Sequence, residues 1–348
     1  MLVPLPESGT SSTIDLSNQT WLKDLKGKVW FDLWLRWPTH DLPTGYELYV
    51  TSFHLEAVDI KWLHKQASFI DAPILVLSDS AQYDCPLPDN VHYFTYYWWH
   101  HQLELIKQWF PHKKTKNITK KFSAICNRIT QSKLLVTASL LEIAYQDSII
   151  KLSDWEGQDS RLKTGNVQLD DIVDNFYNKW FGTIIDLKDT KDFINQQNYS
   201  ANPWTDVYQC CALHFTNESF HYSYMQDEIG HYNYPGPFIT EKTLKCLAGG
   251  TGFVPIGQFD TYNKLAELGF QFEYDFDTSF DFDNGNITRL EKIVKLVHFL
   301  NNYTAEEIYN FTKTSSEYNQ EHVYSNKFYK NCESHNDEII NTILSKFK

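Results

Sequence analysis

The sequence predicts an α/β protein of two domains, each built on a parallel, doubly wound sheet, with helices closing the C-terminal end. Three observations point there. The run Pro73-Ile74-Leu75-Val76-Leu77 is apolar throughout and stops at Ser78-Asp79-Ser80, the pattern of a strand buried on both faces of a parallel sheet. Strand-like and helix-like segments alternate on either side of it. A polar, basic break from Pro111 to Lys121 then interrupts the alternation, which restarts beyond it. A chain of 348 residues is long enough for two cores.

In chain order, the first dozen residues read as a loose arm. Lys28 to Trp37 and Tyr46 to Phe53 are rich in aromatic and β-branched residues, as strands are. Ile60, Leu63 and Ala67 set a helical period over Ala57 to Phe69. Val91 to Trp99 is the next strand, and His101 to Phe110 the next helix. Within the strand end, Tyr96 to Trp99 offers flat faces suited either to a sugar or to ordinary core. Past the break, Phe122 to Cys126, Lys133 to Tyr145 and Ser148 to Leu152 form one βαβ unit with a right-handed crossover. Trp155 to Asp206 reads as irregular, mixing helix and loop, and Phe220 to Met225 as a strand. Ile287 to Leu300, Thr304 to Lys313 and Asp337 to Lys348 are amphipathic helices. The expected domains are 1–112 and 122–348, joined by a linker at 113–121.

Composition narrows the function. Hydrophobic residues make up 42% and aromatics 16%, which excludes a disordered chain. A net charge of −13 argues against broad nucleic-acid binding, although Lys113 to Lys121 could begin a local basic groove. The start lacks the basic and apolar regions of a signal peptide, and no apolar run has the length of a membrane span. Six cysteines without a Cys-x-x-Cys pair read as reduced thiols, so the expected location is cytoplasmic.

The stretch Pro237 to Gly257 organises the rest. Thr240 is a good N-cap, its hydroxyl placed to accept from the Thr243 amide, and Glu241 falls in the first turn. Leu244, Leu247 and Ala248 share a face, Gly249-Gly250 ends the helix, and Phe253 to Ile256 is a buried strand. A helix start carrying Lys242 is an anion site in waiting. The same residues also read as an ordinary capped surface helix with a Glu–Lys pair.

Ile239-Thr240-Glu241-Lys242-Thr243-Leu244-Lys245, with Ala248-Gly249-Gly250-Thr251-Gly252-Phe253-Val254-Pro255-Ile256-Gly257, resembles the donor-binding motif of fucosyltransferase-like and exostosin-like glycosyltransferases. It is similar, too, to glycosyltransferase-like proteins of tailed phages, whose motif runs on as Leu265-Ala266-Glu267-Leu268-Gly269-Phe270 does here. The likeness is carried between Lys121 and Arg289 and is weak before them. It implies a GT-B arrangement, two Rossmann-like domains facing a cleft. The implied reaction moves a sugar from a nucleoside diphosphate sugar, as co-substrate, to a glycan or other hydroxyl acceptor. Inversion is implied, with no metal and no further cofactor; a nucleic-acid acceptor is the less favoured partner.

The resemblance also suggests roles. Arg128 and Lys133, in the first turn after Phe122 to Cys126, correspond with altered spacing to basic residues that reach the diphosphate. Each also reads as an exposed helix-start residue. Glu228 corresponds to a donor-site carboxylate, Glu241 to the ribose ligand and Lys242 to the phosphate ligand. For the base, His54, Glu56 and Asp79 follow expected strands at the C-terminal rim of the first sheet, where a group can take a hydroxyl proton. Each also reads as a cap or turn residue. Asp275-Phe276-Asp277 and Asp281-Phe282-Asp283 fit neither a metal clamp nor a calcium loop by position, and read as an acidic loop before a helix. The rival reading is a non-catalytic protein that binds a nucleotide sugar or glycan on the same fold.

Overall fold

The computed structural model describes residues 20–34, 41–53, 60–78, 87–97, 103, 106–108, 110, 112, 116–126, 131–152, 164–180, 193–194, 205–218, 224–227, 230–233, 237 and 239–347. The chain divides into two compact units. The first comprises Met1–His101, Ser223–Phe238 and Tyr329–Lys348, the second Gln102–Tyr222 and Ile239–Phe328.

In the first unit, β1 (Val29–Trp34), β2 (Leu48–Phe53), β3 (Ile74–Ser78) and β4 (Val91–Thr95) lie side by side in chain order, all parallel. Helix α1 (Ile60–Ala67) connects β2 to β3. Successive side chains of a strand point to opposite faces, and β3 makes two cores this way. Ile74 and Val76 pack with Tyr49, Ile60 and Leu63, whereas Leu75 and Leu77 pack with Val50, Trp21 and Leu22.

The second unit holds a five-stranded sheet. Its first half is β5 (Lys120–Cys126), α2 (Gln131–Ala144) and β6 (Ser148–Leu152), then α3 (Val167–Lys179) and the short β7 (Phe193–Ile194). Helix α4 (Thr205–Cys210) runs without a loop into β8 (Cys211–Asn217). The hairpin β9 (Tyr224–Asp227) and β10 (Gly230–Asn233) belongs to the first unit. The second then resumes with α5 (Glu241–Gly249) and β11 (Gly252–Ile256), followed by α6 (Thr261–Glu267), α7 (Asn286–Leu300) and α8 (Ala305–Tyr324). The sheet order is β11-β8-β5-β6-β7, parallel except for β7. Pro255 sits in β11 because that strand is an edge, where a missing N–H breaks no ladder bond.

Several expectations change. The last helix, α9 (Asn326–Phe347), is not a tail on the second unit; Tyr329 onward belongs to the first. There Ile343 enters the Leu75–Leu77 core, and the Asn336 amide pairs with the Tyr97 backbone. Tyr97 N–H donates to Asn336 Oδ1 at 2.9 Å, and Asn336 Nδ2 donates to Tyr97 O at 2.9 Å. The expected linker is partly sheet, since β5 starts at Lys120. The region expected to mix helix and loop does hold a helix, α3, capped by Asn166. The helix expected to end at Lys313 runs on to Tyr324, opened by a capping box between Thr304 and Glu307. Of the strand expected over Phe220 to Met225, Phe220 to Ser223 lie outside the described residues and Tyr224 and Met225 open the hairpin strand β9 of the first unit; the strand beside the α5 motif is β8.

Candidate functional site

Strand β5 is the switch point of the second sheet. The chain passes from it to β6 on one side, and β8 then β11 are laid down on the other. Open α/β sheets bind ligands outside the carboxyl ends of the strands at such a point. At this place a small hollow, about 50 Å³, is lined by Ile125 of β5, His214 and Asn217 of β8, Tyr208 of α4, and Glu241, Lys242 and Lys245 of α5. A complete ligand pocket measures roughly 300–1,000 Å³, so the hollow has room for a phosphate-sized group rather than a whole nucleotide.

The strand ends are tied together. Asn217 Nδ2 donates to Ile125 O at 3.0 Å, across the β5–β8 gap. Its Oδ1 is buried and accepts no hydrogen bond among the described residues, an orphan that ordinarily costs about 1–3 kcal/mol unless something donates to it. Next in the chain, Glu218 is only 1% exposed. Its Oε2 accepts from Thr240 Oγ1 at 2.5 Å, and its Oε1 from Thr243 Oγ1 at 2.6 Å. One buried carboxylate therefore fixes the start of α5 to the end of β8.

Helix α5 is not a surface helix. Thr243, Leu244, Cys246, Leu247 and Ala248 are all buried, and each buried leucine contributes about 2–3 kcal/mol. The Thr240 hydroxyl caps it by accepting from the Lys242 amide at 3.4 Å, not from Thr243, whose own hydroxyl is turned to Glu218. Gly250, at φ 61°, stops it in the left-handed region where glycine carries no Cβ penalty. Only Glu241, Lys242 and Lys245 stay partly exposed, on the side that lines the hollow.

The electrostatics favour an anion. Lys242 Nζ lies 3.2 Å from Glu241 Oε1 and donates to Thr240 Oγ1 at 3.1 Å. Burial pushes Glu241 up, but Lys242 and Lys245 outweigh it and its pKa ends below the ordinary carboxylate range. Burial lowers Lys245, Glu241 pulls it back, and Lys242 lowers it further. At the hollow two ammonium groups face one partly exposed carboxylate, while the Glu218 carboxylate is buried behind Thr240. A negative ligand there would meet both cations and sit at the positive end of α5.

No family model, curated protein or solved structure matches the chain. The reading of the site therefore rests on its own residues.

Of the residues singled out in the sequence, Glu241 and Lys242 line the hollow and Thr240 caps its helix. Lys133 is buried in the first turn of α2 and is not among the lining residues. His54, Glu56, Asp79, Arg128 and Glu228 lie outside the described residues. The strands that precede the first three end as neighbours, for Phe53 of β2 pairs with Ser78 of β3. The sequence reading missed His214, Asn217, Glu218 and Lys245, all on or beside β8 and α5.

The acidic loop has structural work. Both Asp281 oxygens accept from the first amides of α6, Thr261 N at 3.1 Å and Tyr262 N at 2.7 Å. Burial nonetheless pushes Asp281 up to about 7. Asp283 accepts from Gly285 N and Thr288 Oγ1 at the start of α7 and pairs with Lys292 at 2.7 Å. Among the described residues, no cluster of three His, Cys, Asp or Glu side chains could hold a metal, and no helix is long and apolar enough to cross a membrane.

Proposed function

We propose that the chain is a GT-B-like, metal-independent glycosyltransferase that moves a sugar from a nucleoside diphosphate sugar to a hydroxyl acceptor with inversion. The observation that carries this reading is the hollow at the β5–β8 switch point, where the start of α5 presents Lys242 and Lys245 beside Glu241. The likeness of Ile239 to Gly257 to a donor-binding motif supports it independently of the geometry.

In this reading the second unit holds the donor. Lys242, Lys245 and the α5 terminus offset the charge that develops on the diphosphate as its bond to the sugar breaks. Glu241 accepts from a ribose hydroxyl, and Asn217 Oδ1, which has no donor among the described residues, offers a second acceptor. His54, Glu56 or Asp79 of the first unit takes the proton of the acceptor hydroxyl as its oxygen attacks the anomeric carbon. One displacement inverts the configuration there.

The test is a thermal-shift screen of UDP-, GDP-, dTDP- and CMP-sugars against the native protein and Lys242→Ala. A ligand that binds only the folded state stabilises it by about 2.7 kcal/mol at a hundredfold excess over Kd. One diphosphate-sugar class should raise the melting temperature of the native protein and fail to do so for K242A. CMP-sugars lack the second phosphate and should have less effect. No shift with any donor would overturn the proposal. A shift without release of nucleoside diphosphate, whatever hydroxyl acceptor is supplied, would leave a non-catalytic donor-binding protein.

A further inference from the structure

The hollow contains one polar wall that the proposed mechanism does not use. His214 stands in the middle of β8, 2% exposed, with Tyr208 against its ring at 4.9 Å between centroids. Its Nδ1 lies 2.6 Å from Ser123 Oγ on the neighbouring strand β5. Nε2 is the polar atom the ring has left to offer, and the ring lines the hollow with Lys242, Lys245 and Glu241.

The partners of Ser123 decide which nitrogen carries the proton. The other group facing Ser123 is Cys211, whose thiol is held well above its usual pKa by burial and by the neighbouring Cys210, with Ser123 working the opposite way, so that it stays an S–H. The serine hydroxyl has one proton to give and two possible acceptors. Imidazole nitrogen is a strong acceptor and thiol sulfur a weak one. The Ser123 O–H therefore goes to His214 Nδ1 in preference to the Cys211 sulfur. The ring proton is left on Nε2.

We propose that His214 is a neutral hydrogen-bond donor to a phosphate oxygen of the bound nucleoside diphosphate, its tautomer set by Ser123 from beneath. This rests on the donor-site reading above and adds to it a positioning residue that needs no charge. Burial first and Lys245 second hold the ring neutral, its pKa lowered to about 3. The charged or titratable groups around it are Lys242, Lys245 and Glu241 from α5, Tyr208 from α4 and Cys211 from β8. A third cation at this wall would repel the two lysines in the empty site; a neutral N–H does not.

The experiment measures binding of UDP, GDP and dTDP by calorimetry to the native protein, His214→Phe, His214→Gln and Ser123→Ala from pH 5.5 to 8.5. Removing one hydrogen bond to a charged ligand costs roughly tenfold or more in affinity. H214F should lose about that much at every pH, H214Q should recover most of it, and S123A should fall between them. Because the ring is neutral throughout, the native-to-H214F ratio should not rise toward pH 5.5. Nitrogen NMR of labelled histidine, with the His214 signal assigned by its absence in H214Q, should show a neutral ring protonated on Nε2. That measurement needs no folded variant beyond the assignment.

Equal affinity of H214F and native protein, a ratio that grows as pH falls, or a ring protonated on Nδ1 would each overturn the inference. If UDP, GDP and dTDP all fail to bind the native protein, the donor-site reading itself fails, a result separable from all of these.

Discussion

The contact that holds the candidate site together is the buried Glu218 carboxylate, and Glu218→Gln tests it. Thr240 Oγ1 already accepts from the Lys242 amide at 3.4 Å and faces Lys242 Nζ at 3.1 Å, so its own proton must go to Glu218 Oε2. Thr243 Oγ1 gives its proton to Oε1. A hydrogen bond to a charged group contributes about 1.5–3 kcal/mol and a neutral one about 1 kcal/mol. The glutamine amide can keep Thr240 as a donor and offer its NH2 to Thr243 once that hydroxyl turns. Two charge-assisted bonds then become two neutral ones, at a cost of about 2 kcal/mol. Glu218→Ala leaves two buried hydroxyls without an acceptor and should cost about twice that. The assay is urea unfolding of the ligand-free protein, with amide exchange of α5 reporting whether the loss is local. Thr243→Val in both backgrounds closes a cycle, and the coupling should be about 1 kcal/mol. A Glu218→Gln protein within about 0.5 kcal/mol of native, or a Thr243→Val cost unchanged by Glu218→Gln, would refute the clamp.

Two further outcomes follow from the second unit. A Cβ on Gly252 would meet Thr312 Oγ1 of α8 at 2.4 Å and Thr312 Cβ at 2.5 Å. Gly252→Ala should therefore destabilise by about 1–3 kcal/mol in urea, and a variant as stable as native would show that α8 can move aside. Lys116 Nζ donates to Thr251 Oγ1 at 2.6 Å and Tyr208 O at 3.0 Å, and burial lowers its pKa to about 7. Between pH 7 and the ordinary lysine range the unfolded chain holds a proton that the folded chain has released, so this group makes stability rise with pH, by at most about 1.4 kcal/mol per unit. Lys116→Met should remove that rise. The check is the difference between native and variant urea midpoints from pH 7 to 9.5, and a difference constant with pH would contradict it.

The frame was legible because its signals are local. The run Ile74 to Leu77 has no polar face, so burial on both sides could be read from it directly. The cap at Thr240 and the stop at Gly250 bracket α5 in the same way. Strand β8 was not legible, although it is central to its sheet and supplies His214 and Asn217. It follows α4 without a turn residue, and its histidine and threonine disguise a fully buried run. Those polar groups are tolerated by partners far away in sequence: Ser123 for His214, and the Val254 carbonyl for Thr216. The place of α9 was hidden for a related reason. Its amphipathic period announces a buried face but does not name the surface it meets, and Ile343 packs with Leu75 and Leu77 across most of the chain. Glu218 was passed over because a carboxylate after an unrecognised strand carries no signal of its own.

The most direct measurement of the central claim is amide hydrogen exchange, followed residue by residue, with and without a saturating nucleoside diphosphate. Slowed exchange concentrated in Thr240 to Cys246 and at the ends of β5 and β8 is the predicted result. Protection that falls elsewhere while these amides exchange as before would contradict the placement of the diphosphate at the start of α5.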